Sequence, residues 1–309
     1  MEINRKKEGT IFDFKRFATG DGPGVRGLVF LKGCPLECRW CANPESQDLQ
    51  PEIMYHREKC NGSGRCFEAC PYDAIESSDD FGLEIDSQSC KLCGDCIEAC
   101  PYNALEMVGE KVTVAEMIDR IRNDRSFYEN SDGGVTLTGG EPLQQCEFTR
   151  ELLKACKNYN IHTAIETTGY TSWECFKSVL PYLDLVFNDL KHLDSDLHEE
   201  YTGVDNKSIK ENLEKISKEF TGDFVVRIPY IPGHNDFDLL IESMFQFISE
   251  LGSVKRVEIM PYHRLGITKY HGTGRNYELE DTEPVNANEI EYLADIGERY
   301  GLDVRIDAK

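Results

Sequence analysis

Ten of the thirteen cysteines in this 309-residue chain fall between Cys34 and Cys100. Any fold must gather those thiols into sets, and that demand constrains the chain more than any other feature. The first set is Cys34, Cys38 and Cys41, a CxxxCxxC loop directly after the apolar run Gly27-Leu28-Val29-Phe30-Leu31. The run reads as a buried strand, so the loop sits at a strand's carboxyl end. Three thiolates can hold three irons of a cubane 4Fe–4S cluster, which usually takes four cysteines. With no fourth cysteine nearby, one iron is left for a ligand other than protein, by the logic that separates catalytic from structural zinc. A zinc site or three unrelated buried thiols is the plainer alternative, but zinc sites favour paired CxxC units.

From about Pro51 to Val108 regular periodicity weakens and seven cysteines appear in two similar blocks, Cys60–Tyr72 and Cys90–Tyr102. They form an internal repeat. The second block, CxxCxxCxxxCP, resembles the bacterial two-cluster ferredoxin run, in which the fourth cysteine of each run ligates the other cluster. That resemblance implies one auxiliary cluster on Cys90, Cys93, Cys96 and Cys70, and another on Cys60, Cys66 and Cys100, with Ser63 where a cysteine is expected. The deficient cluster could use the Ser63 oxygen, bind water, exist as a three-iron form, or be absent. The sequence leaves these open.

From Thr113 onward strand and helix patterns alternate. Helices are expected over Val114–Phe127, Leu143–Tyr159, Ser172–Leu183, Ser208–Phe220, Phe237–Leu251 and Asn288–Tyr300. Strands are expected over Gly134–Thr138, Ile161–Glu166, Leu185–Leu190, Phe224–Pro229 and Arg256–Met260, with an edge strand at Asp303–Ile306 and a short one at Ile11–Phe14. Repeated βα units imply a parallel sheet with right-handed crossovers. Six core strands suggest an α/β fold, a partial (β/α)6 barrel, short of the full eight. Its organisation reads as residues 1–50, the first part of the barrel; 51–108, a ferredoxin-like iron–sulfur insertion; and 109–309, the remainder.

Charge excludes some functions. Lys and Arg number 34 against 56 Asp and Glu, a net charge of −22, and phosphate binding needs a basic footprint, so nucleic acid is not an expected partner. No apolar run approaches a membrane span and no apolar signal region follows the charged amino terminus. A cytoplasmic protein is expected, where disulfides are rare. Cys146, Cys156 and Cys175 then read as ordinary buried thiols.

Polar and glycine features cluster where strands finish: Gly139-Gly140-Glu141-Pro142, Glu166-Thr167-Thr168-Gly169, Asp189-Leu190-Lys191, Arg227 and His263. Each has a plain alternative: a turn, a helix cap, a surface pair, a structural histidine. Their shared location with the three-cysteine loop favours an active site, since parallel α/β folds build theirs at the carboxyl ends of strands.

Cys34, Cys38 and Cys41, with Trp40 before the third cysteine, resemble the motif of the radical S-adenosylmethionine (SAM) superfamily, and Gly139-Gly140-Glu141-Pro142 resembles its GGEP motif. More narrowly, Asp21-Gly22-Pro23-Gly24, Gly33-Cys34-Pro35, Cys41-Ala42-Asn43-Pro44-Glu45-Ser46, Asp189-Leu190-Lys191-His192, Tyr201-Thr202-Gly203-Val204 and Pro261-Tyr262-His263-Arg264-Leu265-Gly266 are similar to the glycyl radical enzyme activating enzymes, in the subtype with a ferredoxin-like insertion. The likeness runs from about residue 10 to about residue 280.

The resemblance implies a cluster on Cys34, Cys38 and Cys41 whose fourth iron chelates SAM. It implies SAM contacts from Trp40, Cys41, Ala42, Gly139, Gly140, Glu141, Asp189, Leu190, Lys191, Arg227 and His263, and a monovalent cation at Glu166, Thr167 and the Phe187 carbonyl. One-electron reduction would release a 5′-deoxyadenosyl radical that takes a hydrogen atom from a glycine of a partner glycyl radical enzyme. No protein acid or base is required for that step, and the protein supplies positioning. A low-potential flavodoxin or ferredoxin is the implied electron donor, and a monomer is expected. The Asp21–Gly24 loop is placed to receive the partner's glycine loop. Two other readings stand beside this one: a radical SAM enzyme acting on its own small molecule with auxiliary clusters, and an electron-transfer iron–sulfur protein.

Overall fold

The alternation of β-rich and amphipathic segments produces one large sheet with helices packed against it. The computed structural model describes residues 3–307. In chain order the elements are β1 (Glu8–Ala18), β2 (Arg26–Leu31), β3 (Glu52–Tyr55), α1 (Arg65–Ala69), β4 (Ile75–Glu76), β5 (Glu84–Ile85), α2 (Asp95–Glu98), β6 (Leu105–Val108), β7 (Glu110–Thr113), α3 (Val114–Arg122) and α4 (Arg125–Ser131). They continue with β8 (Gly134–Gly139), α5 (Cys146–Asn158), β9 (His162–Thr167), α6 (Trp173–Val179), β10 (Leu185–Asp189), α7 (Ser195–Thr202), α8 (Lys207–Glu219), β11 (Asp223–Tyr230), α9 (Asp238–Leu251), β12 (Arg256–Pro261), α10 (Ile267–Gly272), α11 (Tyr292–Glu298) and β13 (Val304–Ile306).

The main sheet runs β13-β12-β11-β10-β9-β8-β2-β1-β7. Pairing is parallel from β2 through β13, and antiparallel where β1 meets β2 and β7. Among the parallel strands the order follows the chain without reversal, so right-handed crossovers put the helices on one face, as in a barrel wall rather than a doubly wound sheet. The two faces differ accordingly. Val29, Leu31, Val135, Leu137, Ile165, Val186, Val226, Ile228, Val257 and Ile259 point to the helices and join the main core. The opposite face has only a small apolar cluster of Ala164, Leu185, Phe187 and Val225. Beyond it the same alternation carries buried Arg26, Thr136, Thr138, Arg227 and Glu258.

Several boundaries differ from expectation, each for a local reason. The first strand is longer than Ile11–Phe14 because β1 spans β2 on one side and β7 on the other. The helix expected over Val114–Phe127 breaks in two near Asp124, whose buried carboxylate is held by Arg16 across the sheet edge. The helix expected from Leu143 begins at Cys146. Before it, Pro142–Gln145 forms a 3-10 turn whose Gln145 amide donates to the Thr10 and Lys32 carbonyls. The last helix is shortened in the same way, with a 3-10 turn at Ala287–Ile290 ahead of α11. The short α7 was not foreseen; Asp194 caps it by accepting from the Asp196 and Leu197 amides.

Residues 52–108 form a separate small layer. β3 pairs antiparallel with β6, and β4 with β5. The cysteine repeat recurs in its geometry: α1 and α2 each start after a left-handed glycine, Gly64 and Gly94, and the Ala74 and Ala104 amides each donate to a cysteine sulfur four residues earlier, Cys70 and Cys100, at 3.4 Å. The layer rests on the main fold through α10, where the Tyr55 carbonyl closes on Gly272, and through Glu52, which pairs with Lys32 and Arg275.

Candidate functional site

The loop after β2 is fixed from both sides. Gly33 and Cys34 amides donate to Ser46 and Gln47 carbonyls at 2.7 and 3.0 Å; Glu37 and Arg39 amides donate to Thr202 and Tyr201 carbonyls at 2.8 and 3.1 Å. The unforeseen α7 thus ends as a backbone wall for the loop. Lys32, fully buried, donates to the Glu45 carbonyl at 2.6 Å, and Lys269 binds Asn43 and Glu45. The Tyr270 hydroxyl donates to the Cys38 carbonyl at 3.4 Å. Cys38 is buried and Cys34 and Cys41 partly so; desolvation first, and then the nearby Cys38 sulfur, raise the pKa of Cys34 and Cys41. The Asn43 amide donates to the Cys41 sulfur at 3.4 Å. Among the described residues no three metal-ligating side chains converge as for a single ion, and a cluster of bonded irons needs ligands set wider apart than one ion does.

The Gly139–Pro142 segment is joined to this loop by backbone. The Gly140 amide donates to the Leu31 carbonyl and the Glu141 amide to the Gly33 carbonyl, at 2.9 and 2.8 Å. A Cβ on Gly140 would stand 2.6 Å from the Gly33 carbonyl oxygen, so the fold itself needs glycine there, whatever binds outside. Glu141 was expected at the cofactor. Its carboxylate is instead fully buried and accepts from the Leu143 amide, both Thr167 and Thr168 hydroxyls, and the Thr168 amide, at 2.7 to 2.9 Å. It ties the end of β8 to the end of β9.

Asp189 and Lys191 do meet: Nζ of Lys191 donates to Oδ2 of Asp189 at 2.7 Å. Burial works against the ammonium, but Asp189 and the nearby Cys38 and Cys34 sulfurs outweigh it and hold its pKa up. Leu190 turns its side chain into the helix-side core, which leaves only its backbone for the site. Arg227 lies over the Phe187 ring at 3.7 Å, with Nε on Glu258 at 2.8 Å and Nη1 on Glu166. Its Nη2 is buried without a partner. Glu166 also accepts from the Thr138 hydroxyl at 2.6 Å. Trp40 lies edge-on to Tyr201 and His234. His263 is exposed, with Nδ1 facing the Leu265 amide at 3.3 Å. The sequence pattern did not single out Lys32, Glu258 or Tyr270. A lysine directly after an apolar strand and a glutamate inside one were the available signals for Lys32 and Glu258.

Two cavities lie in the small layer. One, of about 10 Å³, is lined by Cys70, Cys90, Cys93 and Cys96. The other, of about 320 Å³, is lined by Cys60, Ser63, Cys66 and Cys100 together with Tyr55, Arg57, Arg65 and Tyr102. Cys146 and Cys175, expected as ordinary buried thiols, are half-exposed and joined by a disulfide, Cα–Cα 6.0 Å, because α5 and α6 start side by side. Cys156 is fully buried. No helix among the described residues is long and apolar enough to cross a membrane.

Residues 28–242 match the family described as the radical SAM superfamily. The chain is 43% identical over 273 residues to the isethionate sulfite-lyase activating enzyme of Nitratidesulfovibrio vulgaris, covering 87% of this chain and 88% of that one. It is 38% identical to the (2S)-3-sulfopropanediol dehydratase activating enzyme of Klebsiella oxytoca, over 99% of both chains. It is 40% identical to the 4-hydroxyphenylacetate decarboxylase activating enzyme of Clostridioides difficile, over 96% of this chain and 95% of that one. Among solved structures, Streptococcus suis SuiB bound to its precursor peptide SuiA superposes with a TM-score of 0.51 at 17% identity, over 89% of this chain and 46% of that one, a likeness of fold alone.

Proposed function

The chain belongs to the glycyl radical enzyme activating enzymes of the radical SAM superfamily, and from that membership we propose how its residues share the work. The family implies a 4Fe–4S cluster and SAM. When bound, they supply a one-electron cleavage whose 5′-deoxyadenosyl radical takes a hydrogen atom from a glycine of the partner enzyme. The observation that carries the assignment of the site is the set of three packed thiols without a fourth, at the carboxyl end of β2. Beside it stand a buried ammonium and an arginine nitrogen still lacking an acceptor.

Cys34, Cys38 and Cys41 would hold the cluster, in a loop whose backbone is pinned by α7 and Tyr270 so that the ligands keep their spacing. Lys191, held by Asp189, offers a cation to a carboxylate, and Nη2 of Arg227 offers a donor. Gly139 and Gly140 keep the strand end low, with no side chain over the loop. Trp40, Cys41, Ala42, the Leu190 backbone and His263 complete the rim. Glu141 acts from behind it, as a positioning residue. Glu166 is already neutralised by Arg227, and the Thr167 hydroxyl is directed at Glu141, so these two favour a direct ion pair over a monovalent cation.

Residues 51–108 are assigned as a ferredoxin-like module. The support is the pairing of its outer and inner strands, the recurrence of Gly64 and Gly94, and the division of its cysteines between two cavities. One cluster would sit on Cys70, Cys90, Cys93 and Cys96, the other on Cys60, Cys66 and Cys100. They would relay electrons from a low-potential flavodoxin or ferredoxin to a monomeric enzyme in the cytoplasm.

The test is anaerobic. Reduced, iron-loaded protein with SAM and a glycyl radical enzyme of the same organism should give the glycyl radical signal by electron paramagnetic resonance, and Cys38→Ser should abolish it. SAM cleavage driven by a small molecule with no partner present would overturn the assignment. The Asp21–Gly24 loop, whose Asp21 carbonyl accepts from Thr136 at 2.7 Å, is proposed to receive the partner's glycine loop. Asp21→Ala should lower radical yield while leaving partner-independent SAM cleavage intact; equal yields would remove that role.

A further inference from the structure

The two cavities of the small layer differ in a way that division of labour as two equal relays does not explain. Four thiols enclose about 10 Å³ in one, while three thiols and a serine face about 320 Å³ in the other. The larger cavity is lined by no aspartate, glutamate or histidine, in a chain of net charge −22. It has two arginines, Arg57 and Arg65, and two tyrosines. Arg57 is engaged with the Asp80 carbonyl at 2.8 Å; Arg65 makes no ion pair among the described residues. The Tyr55 hydroxyl is bonded to Cys60, and the Gly62 amide donates to the Cys60 sulfur at 3.4 Å. The Cys100 sulfur likewise accepts from Ala104. These are thiols prepared to be cluster ligands, with one corner unprovided.

We propose that the Cys60–Cys66–Cys100 site holds a complete 4Fe–4S cluster whose fourth iron takes an exchangeable small carboxylate from solution, seated in the cavity beside Arg65. A cubane on three thiolates carries one negative charge fewer than one on four, so an anionic oxygen donor restores the balance that four cysteines give the neighbouring cluster. An iron left without a thiolate accepts a hard oxygen ligand, and the arginine supplies the matching cation. The exposed Ser63 sits at the mouth. This rests on the assignment of a second auxiliary cluster.

Holoprotein saturated with SAM, so that the Cys34–Cys41 iron is occupied, would be reduced and titrated with 17O-labelled glycolate, with ethylene glycol as the uncharged control. Broadening of an auxiliary-cluster resonance by glycolate alone is expected, lost in Ser63→Cys, weakened at least several-fold in Arg65→Gln, and retained in Ser63→Ala. No broadening at saturation, or broadening that survives Ser63→Cys, overturns the proposal. So does a Ser63→Ala spectrum already altered without glycolate, since that places the serine oxygen on the iron. Iron analysis of the Cys34→Ala/Cys38→Ala/Cys41→Ala protein separates the premises: about eight irons are expected for two cubanes. About seven would mean a three-iron cluster and overturn the open-iron proposal. About four would remove the second cluster, and the proposal with it, while leaving glycyl radical formation by the intact protein untouched.

Discussion

Gly140 carries a packing duty that its motif does not announce. The motif suggested that glycine lets backbone approach a ligand. The structure adds that a Cβ would collide with the Gly33 carbonyl oxygen at 2.6 Å, so the residue first serves the seam between β8 and the cysteine loop. Gly140→Ala should cost about 2 kcal/mol or more in denaturant unfolding, as overpacking against backbone does, and should loosen iron retention at the three-cysteine loop. Gly252→Ala, at the left-handed carboxyl cap of α9 with open space around it, should cost about 1 kcal/mol and leave iron retention unchanged. Spacing alone announced Cys34, Cys38 and Cys41. It could not say that Glu141 turns inward, because that depends on two threonines at and just after the end of the next strand, 26 and 27 residues later.

Elements were legible where their period was strong and blurred where a side chain was recruited elsewhere. The strands β8 to β12 lie within a residue or two of their expected places. The helix after Thr113 was overrun because its pattern continues past Asp124, while the fold uses that carboxylate to hold Arg16. The helix α7 has a weak apolar face, so only its Asp194 cap could have signalled it. The bond between α5 and α6 was invisible, since no spacing rule relates Cys146 to Cys175. It closes a separation of 29 residues, and constraining a loop of that size contributes about 3.6 kcal/mol in the chain-entropy picture. Thermal unfolding of the unloaded protein should therefore occur several degrees lower after dithiothreitol than after tetrathionate treatment. Cys175→Ser should erase the difference; equal midpoints in the unmodified chain would show that the two thiols do not pair in solution.

At the scale of the molecule, sequential βα units made the parallel sheet and its strand count readable, while the length of the antiparallel β1 and its pairing with the edge strand β7 were not. The fold also buries histidines. His162 is held below its ordinary pKa by desolvation and by repulsion from Arg26, His192 and His198 mainly by desolvation. His198 faces the Val204 carbonyl at 2.7 Å through Nδ1, and its Nε2 is buried without a partner. A base with a lowered folded pKa leaves the unfolded chain holding more protons as pH falls through about 6.5, so stability is full above that pH and declines below it. Urea midpoints should fall between about pH 7.5 and about pH 5.5, and His198→Asn, which keeps a donor for Val204 but cannot charge, should flatten the slope. The small layer has a consequence of another kind. Its first and last strands pair with each other, Glu52 opposite Val108, and Pro51 lies against Gly109. The two ends of these 57 residues thus meet at one point beside the main sheet, so the chain leaves and re-enters the main fold at a single place. Such a unit can be acquired, exchanged or discarded by a lineage without rerouting a strand of the main sheet, so its cysteine sets are free to evolve on a different clock from the three-cysteine loop they adjoin.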